Sequence, residues 1–165
     1  MDRRSLRLRS HDYSRDGLYF VTICVENMAC LLGKIRNAKV SLNATGLMVD
    51  SVWNELPKRF PFVRLDAYVI MPNHIHGILA LNGDPKDIPS LKHPPGTTPR
   101  SLGRILQAFK SITTREYVKN LELEQKPFSK LWHRNYFEKV IKHHVSLANI
   151  RKYIQENPLK WESDE

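Results

Sequence analysis

Apolar and polar positions along this chain repeat with two periods, and the switches between them mark out its elements. Leu18-Tyr19-Phe20-Val21-Thr22-Ile23-Cys24-Val25 is short, β-branched and aromatic, which predicts a buried strand. Cys30 to Ile35 and Lys39 to Leu42 read as weaker extended pieces, together a hairpin. From Thr45 to Leu56 the period lengthens. Met48, Val52 and Leu56 recur every four residues beside Val49 and Trp53, giving an amphipathic helix capped near Asn43 and ended by Pro57. Val63 to Met71 alternates again, with Val63, Leu65, Ala67, Val69 and Met71 on one face. Pro72-Asn73 then turns the chain into a returning strand, His74 to Leu81. Ser101 caps a long helix to about Asn120, with Leu102, Ile105, Leu106, Phe109, Ile112 and Thr113 on one face. Leu131 to Ile141 reads as extended, and Val145 to Asn157 as a helix stopped by Pro158. The order predicts an α+β fold, a sheet with helices on one face.

Composition changes this picture in three places. Five of the ten prolines fall between Asn82 and Arg100, which reads as a mobile surface loop (82–100) within one domain spanning residues 1–165. Cys24 and Cys30 lack metal-site spacing and read as buried thiols of a reducing compartment. No apolar run approaches the ~20 residues of a membrane span, and the N-terminus lacks the apolar stretch of a secretion signal. A cytoplasmic protein is expected.

Charge points to a partner. Twenty-six basic against seventeen acidic side chains leave a formal +9, which favours a polyanion, because each phosphate neutralised releases condensed counterions. Arg3, Arg4, Arg7 and Arg9 crowd a basic N-terminal arm, residues 1–16, and guanidinium forks suit phosphate oxygens. Nucleic acid is the favoured partner.

The candidate chemistry lies in His74-Ile75-His76-Gly77. Residues two apart on a strand point the same way, so the two imidazoles form a side-by-side pair while Ile75 faces the other side. Such a pair must find hydrogen-bond partners or a metal, because buried unpaired polar groups cost a few kcal/mol.

With the rest of the chain beside it, this segment resembles the HUH single-strand transposases with one catalytic tyrosine, and within them the REP-associated tyrosine transposases. The resemblance runs through Asp12-Tyr13-Ser14, Leu56-Pro57-Lys58-Arg59-Phe60, Val69-Ile70-Met71-Pro72-Asn73-His74-Ile75-His76-Gly77, Phe109-Lys110-Ser111, Trp132-His133-Arg134-Asn135-Tyr136 and Asn157-Pro158-Leu159-Lys160-Trp161. It implies a ferredoxin-like HUH-endonuclease fold with a central antiparallel sheet, and His74 and His76 as ligands of Mg²⁺ or Mn²⁺. It also implies a tyrosine nucleophile forming a 5′-phosphotyrosine link, acting on single-stranded DNA that carries hairpin elements. Tyr117 lies in the helix where the resemblance puts the nucleophile, with Tyr136 as the rival; Tyr19, Tyr68 and Tyr153 read as core or boundary residues. The family commonly places a polar third ligand one helical turn beyond its tyrosine. Leu121 cannot ligate, which leaves Asn120 as the candidate.

Further phosphate partners are expected among Arg104, Lys110, Arg134, Arg151 and Lys152, which would position DNA without reading its sequence. Two other readings compete. One is a DNA-binding protein that has lost cleavage, with Leu121 as a trace of decay. The other is a metal hydrolase acting through bound water, for which Asp66 is the nearby acidic residue.

Overall fold

In the computed structural model, residues 17–82 and 101–163 are described. The basic arm and the proline-rich segment fall outside them, so the expectations for residues 1–16 and 83–100 do too. Strand β1 (Gly17–Val25) leads through a 3₁₀ turn (Glu26–Met28) into a hairpin of β2 (Gly33–Arg36) and β3 (Lys39–Leu42). Asn37 and Ala38 make the hairpin turn, both at positive φ, the conformation that matches a two-residue turn to the twist of its strands. Helix α1 (Ala44–Arg59) follows, then β4 (Val63–Ile70), β5 (His74–Leu81), α2 (Leu102–Leu123), β6 (Trp132–Ile141) and α3 (His144–Ser163).

The sheet order is β4-β5-β1-β6, with every neighbouring pair antiparallel. Leaving out the β2–β3 hairpin, the chain up to β6 runs β-α-β-β-α-β, the ferredoxin-like order. The α+β class therefore stands. Helices α1 and α2 share one face, over a core that includes Tyr19, Val21, Ile23, Trp53, Ile75, Leu79 and Phe109. Helix α3 does not join them. It packs on the opposite face through Leu147 and Ile154, against Phe20, Ile78 and Ile141, because β5 and β1 carry apolar residues on both sides and a single helical layer would leave one side wet.

Two prolines do not stop their helices. Pro57 lies inside α1 and Pro158 inside α3. A proline removes one donor, but its fixed φ is itself helical, and the next turn can close. Phe60 N–H still reaches the Leu56 carbonyl at 2.8 Å. The expected caps hold at the other ends: Asn43 Oδ1 accepts from Gly46 N–H at 2.9 Å and Ser101 Oγ from Arg104 N–H at 3.2 Å.

The alternation expected from Val63 to Met71 also breaks. A register shift between Leu65 and Tyr68 moves the facing residues by one. Val63 and Leu65 face the α1–α2 core, whereas Ala67 and Val69 pack on the α3 side. The cysteines differ from expectation as well, Cys24 being half-buried and Cys30 exposed.

Gly77 shows how tightly β5 is held. A Cβ there would sit 2.5 Å from Cζ2 of Trp53, an indole that is fully buried under α1. A Gly77→Ala protein should be destabilised by about 1–3 kcal/mol, the usual cost of overpacking a dense core. Urea unfolding followed by tryptophan emission would detect it, and an unchanged midpoint would contradict the packing described.

Candidate functional site

Strand β5 splits its side chains between two environments. Ile75, Leu79 and Leu81 enter the α1–α2 core, and His74 and His76 point to the α3 side. The two imidazole centroids are 4.5 Å apart. Each ring is held by its Nδ1 atom. His76 Nδ1 and the Thr22 hydroxyl are 2.8 Å apart, across a register in which Thr22 faces His76. His74 Nδ1 donates to Asn73 Oδ1 at 2.7 Å.

The Pro72-Asn73 turn that presents His74 is itself anchored: Val25 N–H donates to the Asn73 carbonyl and Leu32 N–H to that of Pro72, at 2.9 and 3.0 Å. Phe20 stacks on His76 with centroids 5.5 Å apart. Helix α3 closes the other side. Trp161 lies 6.2 Å from the His74 ring, Asn157 hydrogen-bonds His74, and the Tyr153 hydroxyl sits 3.4 Å from His76 Nε2.

Burial sets the charge state. Desolvation, with the neighbouring His74 adding to it, pushes His76 down to about 3. His74 is lowered by the same burial, opposed by its bond to Asn157. Both rings are therefore neutral near pH 7, and each keeps a nitrogen lone pair to offer. With the Asn157 amide oxygen they make a nitrogen–oxygen donor set of the kind that could hold a divalent cation. Carboxylates contribute nothing: among the described residues no three His, Cys, Asp or Glu side chains converge. Asp66, the acidic candidate of the hydrolase reading, is instead clamped by both arms of Arg151 at 2.8 and 2.6 Å.

The tyrosine expected to approach the histidines does not. Tyr117 is 6 % exposed within the α1–α2 core, on the far side of the sheet, with its hydroxyl 2.7 Å from that of Ser129. Asn120 shares that side, lining with Tyr117, Ser129 and Asn43 a cavity of about 410 Å³. Tyr136 packs against the same core, as do Tyr19 and Tyr68, the latter donating to Asp50 Oδ1 at 2.8 Å. Of the tyrosines among the described residues, Tyr153 alone is on the histidine face, 41 % exposed.

Helical periodicity could tell that Tyr117 lay at the edge of an apolar stripe, but not which face of the sheet that stripe would cover. The missed signal was the four-residue spacing of Tyr153 and Asn157, one helical turn. Both residues lie inside the helix expected over Val145 to Asn157, but spacing along a helix does not say which face of the sheet it will cover. Thr22 and Asn73 carried no such signal.

The basic candidates divide in the same way. Arg3, Arg4, Arg7 and Arg9 lie outside the described residues. Arg151 is engaged with Asp66, and Lys152 is 3.7 Å from Glu156. Lys110 donates to the His133 and Arg134 carbonyls at 2.7 and 3.1 Å, where the β1–β6 register slips and strand carbonyls lose their ladder partners. Burial brings this lysine down to about 8. Arg104 is half-buried on α2, and Arg134 is exposed on β6.

No protein-family profile matches the chain. A Haemophilus influenzae protein described only as uncharacterized is 38 % identical over 170 residues, spanning 99 % of this chain and 92 % of its own length. Among solved structures, that of a REP-associated tyrosine transposase bound to a REP hairpin superposes with a TM-score of 0.63 at 18 % identity, covering 94 % of this chain and 74 % of that one. A crystal structure of a Deinococcus radiodurans protein, provisionally classed as a transposase, gives a TM-score of 0.51 at 16 % identity, covering 93 % of this chain and 98 % of that one. The fold is shared with both.

The lowered His76 has a consequence for stability. An unfolded histidine titrates near 6.5, and His76 in the folded chain near 3. Between those values the unfolded chain binds the more protons, so stability falls as pH drops through that window. In chelator-containing buffer, a His76→Gln protein should lose less stability on acidification than the parent. Equal slopes of urea midpoint against pH would show that His76 contributes nothing.

Proposed function

For a chain that belongs to one family with the Haemophilus influenzae protein and has the fold of a REP-associated tyrosine transposase, we propose a metal-dependent single-stranded DNA endonuclease and strand transferase. It works through a 5′-phosphotyrosine intermediate on hairpin-bearing DNA, and Tyr153 is the nucleophile. The observation that carries this reading is the Tyr153 hydroxyl 3.4 Å from His76 Nε2. The hairpin in the solved relative is bound by that protein; here it supports the choice of substrate.

Tyr153 attacks the phosphorus of the scissile phosphodiester, forming a P–O bond to the phenol as the bond to the 3′ oxygen breaks. The phenol proton passes to water, which reaches this partly exposed side chain, and the departing 3′ oxygen takes one up. The ester bond energy is kept in the phosphotyrosine for rejoining. His74, His76 and Asn157 would hold Mg²⁺ or Mn²⁺, which when bound supplies charge neutralisation at a phosphate oxygen and in-line alignment.

Thr22 and Asn73 orient the two imidazoles through Nδ1, so that binding does not have to order them. Phe20 and Trp161 shield the rings from water. Lys160, 5.3 Å from the Tyr153 ring centre, brings a positive charge to the place where phosphate arrives.

The binding-only reading loses its motive. Leu121 belongs to the Tyr117 face, so it no longer marks decay, and a polar residue does stand one turn beyond the tyrosine that meets the histidines.

The test is a covalent-adduct assay on single-stranded hairpin DNA with Mn²⁺ or Mg²⁺. Adducts should form with the parent protein and with Tyr117→Phe and Tyr136→Phe, and disappear with Tyr153→Phe and His76→Ala. Asn157→Ala should raise the metal concentration needed for half-maximal adduct formation by at least roughly ten- to a hundredfold, the scale seen even when groups that only support a metal ligand are removed. Adducts that persist in Tyr153→Phe would overturn the nucleophile assignment. Tight, salt-sensitive binding without any adduct would favour the binding-only protein.

A further inference from the structure

Helix α3 lies against β4 and meets β6 at Ile141, the last residue of that strand, while residues earlier on β6 stay exposed on the histidine face. Two β6 residues look out there. Phe137 pairs with Thr22, the residue that holds His76, and Lys139 pairs with Phe20, the ring stacked on His76. Directly paired residues on neighbouring strands project to the same side, so both share the face of the imidazoles. Phe137 is 38 % exposed, and Lys139 is exposed too.

A single exposed phenylalanine needs no explanation. This one ends a row of rings. Phe137 meets Phe20 edge-on at 6.4 Å, and Phe20 meets His76 at 5.5 Å and Tyr153 at 6.3 Å. The row runs from the reacting tyrosine to an uncovered aromatic ring, with an ammonium group two residues further along the strand.

We propose that Phe137 and Lys139 form a subsite for one unpaired nucleotide beside the scissile phosphate. The base stacks on the Phe137 ring, and Lys139 neutralises the adjoining phosphate. The subsite rests on the single-stranded DNA reading of the histidine site. It extends that reading from chemistry to substrate shape, because only an unpaired base can offer its π-face to a ring on a strand surface. Stacking is tolerant of base identity, so the subsite selects for an unpaired nucleotide rather than for a sequence. A second protein is the less suitable occupant, since the exposed ring is isolated from other exposed apolar groups on β6 and flanked by a cation.

The experiment walks 2-aminopurine through a single-stranded hairpin oligonucleotide bound to the full chain in chelator, where cleavage is blocked. One position should be quenched. Phe137→Ala should abolish that quenching and weaken binding about five- to a hundredfold, the range for one base–aromatic stack, and Phe137→Trp should restore both. Lys139→Gln should reduce the slope of log K against log salt by about 0.7, the value for one single-strand phosphate contact.

Affinity and quenching that survive in Phe137→Ala, or quenching at no position, overturn the subsite. The adduct assay separates its fate from that of the reaction. Tyr153 adducts alongside Phe137-independent binding sink the subsite alone. Phe137-dependent quenching with no adduct under any divalent metal sinks the nuclease alone.

Discussion

Strand β5 has to satisfy two neighbours at once, and the site exists because it does. On one side it is pressed so closely by Trp53 that Gly77 has no room for a side chain. On the other it carries two imidazoles that α3 covers with Tyr153, Asn157 and Trp161. Pleating lets these demands coexist, since successive residues answer to different faces. A one-residue slip would put the histidines under α1 and Ile75 under α3. Antiparallel neighbours on both sides, β1 and β4, forbid that slip.

Burial at this position does chemical work as well as structural work. An exposed histidine pair would spend part of its time protonated near neutral pH. Here desolvation favours the neutral form of both rings, which leaves each with a nitrogen lone pair. Bonds from Thr22 and Asn73 fix the rings at Nδ1. A neutral, pre-oriented nitrogen pair beside a partly exposed phenol and a row of aromatic rings is the arrangement on which the proposed phosphodiester transfer rests.

The opposite face carries a different group of polar residues, which bond one another and nearby backbone. Thr113 accepts from the Trp132 indole N–H at 2.8 Å, and Lys110 completes the carbonyls left by the β1–β6 irregularity. Tyr117 bonds Ser129. These contacts tie α2 to the segment leading into β6 and hold Tyr117, at the edge of the α2 stripe, in the core on the side of the sheet away from the histidines.

The strands, the α1 and α2 helices, their caps and the histidine pair were readable from the chain, because each depends on local periodicity or on residues a few positions apart. His-x-His on a strand is such a pattern: two side chains on one face follow from the pleat alone. Which tyrosine meets that pair was not readable. Tyr117 and Tyr153 both lie on amphipathic helices, and only the crossing of α3 to the far side of the sheet distinguishes them. Local rules also misplaced Pro57 and Pro158, since a proline costs a helix one bond while the packing around it, Leu56 in one case and Trp161 against His74 in the other, keeps the turn closed. The amino-acid order thus determined the elements and half of the site; the layering of helices on a two-faced sheet decided the other half, because long-range burial rather than spacing sets which face a helix covers.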